Sequence, residues 1–187
     1  MLRIAVAQFN ATVGDLTGNV ERIIACAAEA KARGAQVLLT PELALCGYPP
    51  EDLLLRPDFY RACSRALDDL AGRVEGIASG LAIVVGHPEE HAGRRYNAAT
   101  VIENGHKKAV YRKIRLPNYE VFDEMRYFDA GSEACVVTLG GVRCGINICA
   151  DIWEAGAAEL AHGAGAELLL VLNASPCHLE KHQQRAQ

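Results

Sequence analysis

Between Gly141 and Trp153 the chain reads G-V-R-C-G-I-N-I-C-A-D-I-W. Val142, Cys144, Ile146 and Ile148 alternate with Arg143, Gly145 and Asn147, the period of two of a strand. Cys149-Ala150-Asp151 breaks that period, and an Ala-rich helical stretch is expected over residues 154–164. A strand running sharply into a helix holds the junction side chain out at the sheet edge. It also aims the next backbone N–H groups at the same spot. Thiol chemistry needs that geometry: an exposed nucleophile beside donors that receive developing negative charge. Cysteine is also among the most buried residue types, so the spacing alone leaves a plain core cysteine as the alternative.

The rest of the chain builds an α/β domain around that junction. Residues 3–8 read as a strand and residues 37–39 as a short buried one. Between them lies a helix with Val20, Ile23, Ile24 and Ala27 on one face, capped by Asp15 or Thr17 and stopped by Gly34. Strand, helix, strand predicts a parallel pair with a right-handed crossover. A second helix is expected over 58–74, an apolar strand over 81–86 and a polar, exposed stretch over 87–95. Residues 96–103 and 106–112 form a hairpin around Asn104-Gly105, a pair suited to positive φ. A long irregular loop covers 117–131, the kind of segment that often carries function. Residues 134–139 and 142–148 pair around Gly140-Gly141, a strand covers 167–172, and a further helix starts at His178.

Composition narrows the classes. The 187 residues suffice for one domain with a sizeable core, and half of them are hydrophobic. The net charge of −4, with both signs spread along the chain, leaves no basic footprint for nucleic acid. No apolar run reaches membrane-spanning length, and the N-terminus lacks a secretory pattern. Seven scattered cysteines without a C-x-x-C pair suit reduced thiols in a cytoplasmic protein rather than a disulfide framework or a zinc site. His87 and His91 are four apart, but nearby Pro88 and Gly93 argue against a helix presenting both, so no metal site is expected. Cys144 and Cys149, at odd spacing, should point to opposite faces of a strand. Asp151 and Glu154 read as helix caps, and Trp153 as a core or pocket-wall residue.

Three residue types suited to covalent amide chemistry share one context. Glu42, Lys113 and Cys149 each follow a strand near its C-terminal end, the edge where open α/β sheets build sites. A carboxylate there takes the thiol proton and an ammonium stabilises an oxyanion. Taken singly, each has a second reading. Glu42 reads as a solvated loop acid. Lys113 reads as part of a solvated basic face with Lys107, Lys108, Arg112 and Arg115.

The surrounding words are more specific. T-P-E-L-A-L-C-G-Y-P-P-E-D-L at 40–53, Y-R-K-I-R-L-P-N-Y-E-V-F-D-E-M-R-Y-F at 111–128 and G-I-N-I-C-A-D-I-W-E at 145–154 occur in that order. Together they resemble the nitrilase (carbon–nitrogen hydrolase) superfamily with its Glu-Lys-Cys triad. More narrowly, they resemble the branch formed by the glutaminase domains of glutamine-dependent NAD synthetases.

The resemblance implies an αββα sandwich truncated at its C-terminal end, with residues 1–187 an incomplete hydrolase domain and the synthetase domain absent. It implies that Cys149 attacks the side-chain amide carbon of glutamine, with Glu42 as the base that takes the thiol proton and returns it to ammonia. Lys113 and the backbone N–H of Ala150 would stabilise the oxyanion. Glu124 would orient the triad, and Tyr48, Tyr119 and Ser175 would line the glutamine pocket. At Ala150 this chain departs from its branch, which commonly has glutamate there, a side chain associated with the substrate amino group. No cofactor is expected in this domain; ATP and Mg belong to the synthetase domain, which receives the ammonia. Assembly into a homo-oligomer is implied as well. A stand-alone amidase of the same superfamily, or a non-catalytic fragment kept for assembly, are the alternative readings.

Overall fold

The computed structural model describes residues 1–119 and 122–175. The expected helix from His178, and Cys177 beside it, lie outside the described residues. Two sheets stack face to face. The first, in the order β1-β2-β3-β4-β5, comprises Ile4–Val6, Val37–Leu39, Ala82–His91, Arg94–Glu103 and His106–Arg112. The second, β6-β7-β8, comprises Cys135–Leu139, Val142–Ile148 and Leu168–Leu172. β1, β2 and β3 run parallel, β3-β4-β5 form an antiparallel meander, and β7 pairs antiparallel with β6 and parallel with β8.

The central strands are apolar on both faces because both are covered. Val37 and Leu39, Ala82 and Val84, and Ala99 and Val101 point between the sheets, against Val137, Ile146, Ile148 and Leu170. The alternate residues Leu38, Ile83, Val85 and Ile102 point outward against helices α1 (Leu16–Ala32) and α2 (Pro57–Ile77). Asp15 caps α1 by accepting from the Gly18 N–H at 2.9 Å. Helix α3 (Ala157–Gly163) lies close on β7: a Cβ added at Gly145 would come within 2.9–3.0 Å of Leu169, Ala161 and Ala166. The layers therefore run helix, sheet, sheet, helix, the expected αββα sandwich. Both glycine-bearing hairpins form where expected, with positive φ at Asn104-Gly105 and Gly140-Gly141.

Four expectations need correction. Residues 90–94 are exposed as expected, but His87 and Pro88 are buried and the stretch is strand, not irregular. β3 continues to His91 and turns at Ala92-Gly93 into β4, and His87 is buried, its Nε2 2.6 Å from the Thr100 hydroxyl. The helix expected over 154–164 is shorter. A 3₁₀ turn, Cys149–Ile152, comes first, and α3 starts only after Gly156. Gly156 has φ 131°, and its N–H is capped by the Glu159 carboxylate, so the cap is Glu159 and not Glu154. Asp151 does cap, but it caps the 3₁₀ turn, accepting from the Ile148 N–H at 2.9 Å. Cys144 and Cys149 do not face opposite ways on one strand: Cys149 lies past the end of β7, where a positive φ re-aims it, and both are buried in the core between the sheets.

Candidate active site

Three strand ends supply the site. After β2, Thr40 anchors the chain on β3: its hydroxyl donates to the Val84 carbonyl and accepts from the Gly86 N–H. The turn carrying Glu42 then passes so close to β3 that a Cβ on Gly86 would lie 2.5 Å from the Leu43 nitrogen. Only glycine fits there. After β5, the Lys113 N–H continues the ladder to the Asn97 carbonyl at 2.8 Å, and the loop returning from Pro117 closes on it through Gly131 N–H to Lys113 carbonyl. After β7, Cys149 adopts φ 45°, a conformation that costs a non-glycine residue free energy and re-aims its side chain.

These ends converge. The Lys113 Nζ, with a side chain 0% exposed, donates to Glu42 Oε1 at 2.7 Å and to Glu124 Oε1 at 2.8 Å. The Asn97 amide Nδ2 donates to the same Glu42 oxygen at 2.8 Å. The Glu42 Oε2 accepts from the Ala174 backbone N–H at 3.2 Å. The Cys149 Sγ is 3.4 Å from the Ser175 Oγ, on the residue next to Ala174. The Tyr48 hydroxyl donates to Glu124 Oε1 at 3.4 Å. The solvated readings of Glu42 and Lys113 are thereby excluded.

Burial sets the protonation states. Desolvation favours the neutral form of Lys113, but the two carboxylates outweigh it and the ammonium is held above its ordinary range. Burial pushes the Cys149 thiol up to about 11, and the charge of Glu42 adds to this; Ser175 and Lys113 pull the other way. Burial and the neighbouring Glu42 raise Glu124 to about 7, against the pull of Lys113. A thiol with so high a pKa is protonated near neutrality and needs a base at hand to react.

A cavity of about 1080 Å³ opens beside this cluster. Glu42, Tyr48, Tyr119, Trp153 and Ser175 line it. Cys149, 1% exposed, adjoins the cavity through its contact with Ser175. Phe122 stacks edge-to-face on Tyr119 and Trp153, so the loop after Pro117 and the turn after Cys149 share one aromatic wall.

Ala150 is buried in the turn after the thiol. The fully buried Asp151 joins the ends of β5 and β7: its Oδ1 accepts from the Ile114 and Arg115 N–H groups and its Oδ2 from the Ile148 N–H and the Tyr111 hydroxyl. The reading from sequence missed Asn97 and the backbone of Ala174. Asn97 carried a usable signal: it shares the inward parity of Ala99 and Val101, so it is a polar residue at a core position of β4.

Known proteins place the chain in a family. The carbon-nitrogen hydrolase profile matches residues 3–187. The chain belongs to the carbon-nitrogen hydrolase family. This hydrolase is 50% identical over 187 residues to a glutamine-dependent NAD(+) synthetase of Xanthomonas campestris pv. campestris (strain 8004), covering 98% of this chain and 33% of that protein. Its fold superposes on the glutamine-dependent NAD+ synthetase of Acinetobacter baumannii, solved in complex with ADP, with a TM-score of 0.91 and 35% identity over 100% of this chain and 35% of that one. It also superposes on an amidase from Nesterenkonia sp. AN1, in a variant showing Michael addition of acrylamide at its active-site cysteine. There the TM-score is 0.83 at 28% identity, covering 97% of this chain and 70% of that one. The chain thus spans about a third of the length of the synthetases it matches.

Proposed function

We propose that this hydrolase releases ammonia from the side-chain amide of glutamine through a Cys149 thioester. The ammonia would feed an ATP-dependent conversion of deamido-NAD to NAD. One observation carries the reading: a buried ammonium held between two carboxylates beside a buried thiol, at the edge of a cavity of about 1080 Å³. The similarity to NAD synthetases supplies the substrate and the destination.

Glu42 takes the thiol proton as the sulfur attacks the amide carbon. An ammonium has three N–H bonds. On Lys113 two point at Glu42 and Glu124, and the third meets the oxyanion together with the Ala150 N–H. Such a donor contributes roughly 3 kcal/mol of transition-state stabilisation. Glu42 returns its proton to the departing ammonia, then activates the water that clears the thioester. Glu124 holds Lys113 in place, and Tyr48, Tyr119 and Ser175 contact the substrate. ATP and Mg belong to the synthetase portion, and no step at this site runs through them. The protein acts in the cytoplasm, as an oligomer, without nucleic acid or membrane.

Cys149→Ala should abolish glutamate release from glutamine while ammonia-driven NAD synthesis by the whole protein continues. Undiminished glutaminase activity would remove Cys149 from the mechanism. The fold match to a free-standing amidase favours a second reading, hydrolysis of another small amide. A panel of short amides that outcompetes glutamine would select it.

A further inference from the structure

The Glu42 carboxylate is held unequally. Its Oε1 receives two donors, the Lys113 Nζ at 2.7 Å and the Asn97 Nδ2 at 2.8 Å. Its Oε2 receives one longer contact, from the Ala174 N–H at 3.2 Å, and Ala174 adjoins Ser175, whose hydroxyl is 3.4 Å from the Cys149 sulfur. We propose that Asn97 is a positioning residue that saturates Oε1 and leaves Oε2 as the oxygen that takes the thiol proton. The inference rests on the reading of Glu42 as the general base of this site.

Three features of Asn97 support the assignment. It is 0% exposed, and its Oδ1 is buried with no partner among the described residues. The bond from Nδ2 to Glu42 offsets part of the cost of burying this amide. The amide orientation is also fixed: turned over, Oδ1 would sit 2.8 Å from a carboxylate oxygen with no proton between them. Finally, the Asn97 carbonyl accepts the Lys113 N–H, so one residue of β4 sets both the lysine backbone and the glutamate carboxylate, and the two groups meet at one oxygen. A proton placed on Oε1 would displace one of these two donors, whereas Oε2, with one contact, keeps a lone pair free.

The test reads proton transfer without glutamine. The groups facing Glu42 are Lys113 at the end of β5, Glu124 in the loop, Tyr48, and Cys149 after β7. The rate of Cys149 carbamidomethylation by iodoacetamide is measured against pH in the protein as its gene encodes it, in wild type, Asn97→Leu, Asn97→Asp and Glu42→Gln. A lost donor makes the ionised carboxylate less stable, so the acid limb should move up by about one pH unit in Asn97→Leu. It should move further in Asn97→Asp, where a second carboxyl competes for the same protons. In Glu42→Gln this limb should vanish and leave only the rise set by the thiol's own ionisation, and adding Asn97→Leu should change nothing more. A limb that stays in place while the rate falls evenly at every pH would show a merely structural role and overturn the proposal. Should Asn97→Leu fail to fold, the isosteric Asn97→Asp decides alone, since an unmoved limb there is equally fatal. If the limb moves but wild type releases no glutamate from glutamine, the glutamine reading fails and this one stands. If glutamine is hydrolysed and the limb does not move, only this one fails.

Discussion

Lys107, near the start of β5, and Lys113, just past its end, make ion pairs of nearly equal length, yet the pairs of the two lysines belong to different physical regimes. The Lys107 Nζ reaches Asp68 at 2.6 Å, with the side chains 42% and 57% exposed. The Lys113 Nζ reaches Glu42 at 2.7 Å and Glu124 at 2.8 Å, with nothing exposed on the lysine. Distance therefore does not measure the worth of an ion pair; desolvation does. On the surface, water replaces either partner when the other leaves. In the interior, nothing does, and the remaining charges face one another.

Lys113→Met should give the largest effect. It leaves Glu42 and Glu124 buried together without a counter-charge, which costs roughly 3–5 kcal/mol, read from urea unfolding at neutral pH. Burial together with the repulsion between the carboxylates should raise Glu124 further, since Lys113 is the group that now pulls it down. A loss below about 1 kcal/mol would place Lys113 in the same class as Lys107 and dissolve the contrast.

Glu124→Gln should follow, and its effect depends on pH. The Glu124 carboxyl titrates at about 7 in the folded protein against 4.5 as its ordinary value, because burial and Glu42 favour the protonated form. The folded state therefore binds this proton more tightly than the unfolded state. The resulting stabilisation is complete below pH 4.5, declines as pH rises, and is gone above about 7. Wild type should lose stability relative to Glu124→Gln across that window, by at most about 1.4 kcal/mol per pH unit. Parallel stability curves from pH 4 to 8 would mean that Glu124 is already ionised in the folded protein at low pH.

The same pair of lysines shows what a sequence exposes and what it hides. Strand and helix periods and the Asn104-Gly105 and Gly140-Gly141 turns are local and legible in the sequence, which leaves the α1 cap between Asp15 and Thr17 until the structure selects Asp15. Which lysine of K-K-A-V-Y-R-K is buried is not local. It depends on the loop after Pro117 folding back, through Glu124, through Gly131 on the Lys113 carbonyl, and through Arg126 and Tyr127 on Asp52. That explains why two motifs more than 70 residues apart accompany one another. The resemblance to a family singled out Glu42, Lys113 and Cys149 as a group; periodicity alone does not. The polar word H-P-E-E-H reads as solvated, yet His87 is buried because Thr100 supplies a partner for the imidazole. Asn97 was passed over because Y-N-A-A-T reads as ordinary strand, although its inward parity marked it.

The smallest expected effect tests the exposed half of the contrast. Lys107→Ala should change stability by about 0.5 kcal/mol or less, and a double-mutant cycle with Asp68→Ala should return a coupling of about that size. Added salt screens exposed charges beyond roughly 3 Å at 1 M, so the coupling should fade as sodium chloride is raised to that level. The penalty for Lys113→Met should persist, because Glu42 and Glu124 are buried and buried charges are screened much less. A Lys107 coupling that survived high salt would mean that its pairing with Asp68, which ties β5 to α2, is shielded from water in a way its exposure does not reveal. The two ends of the strand would then differ in degree and not in kind.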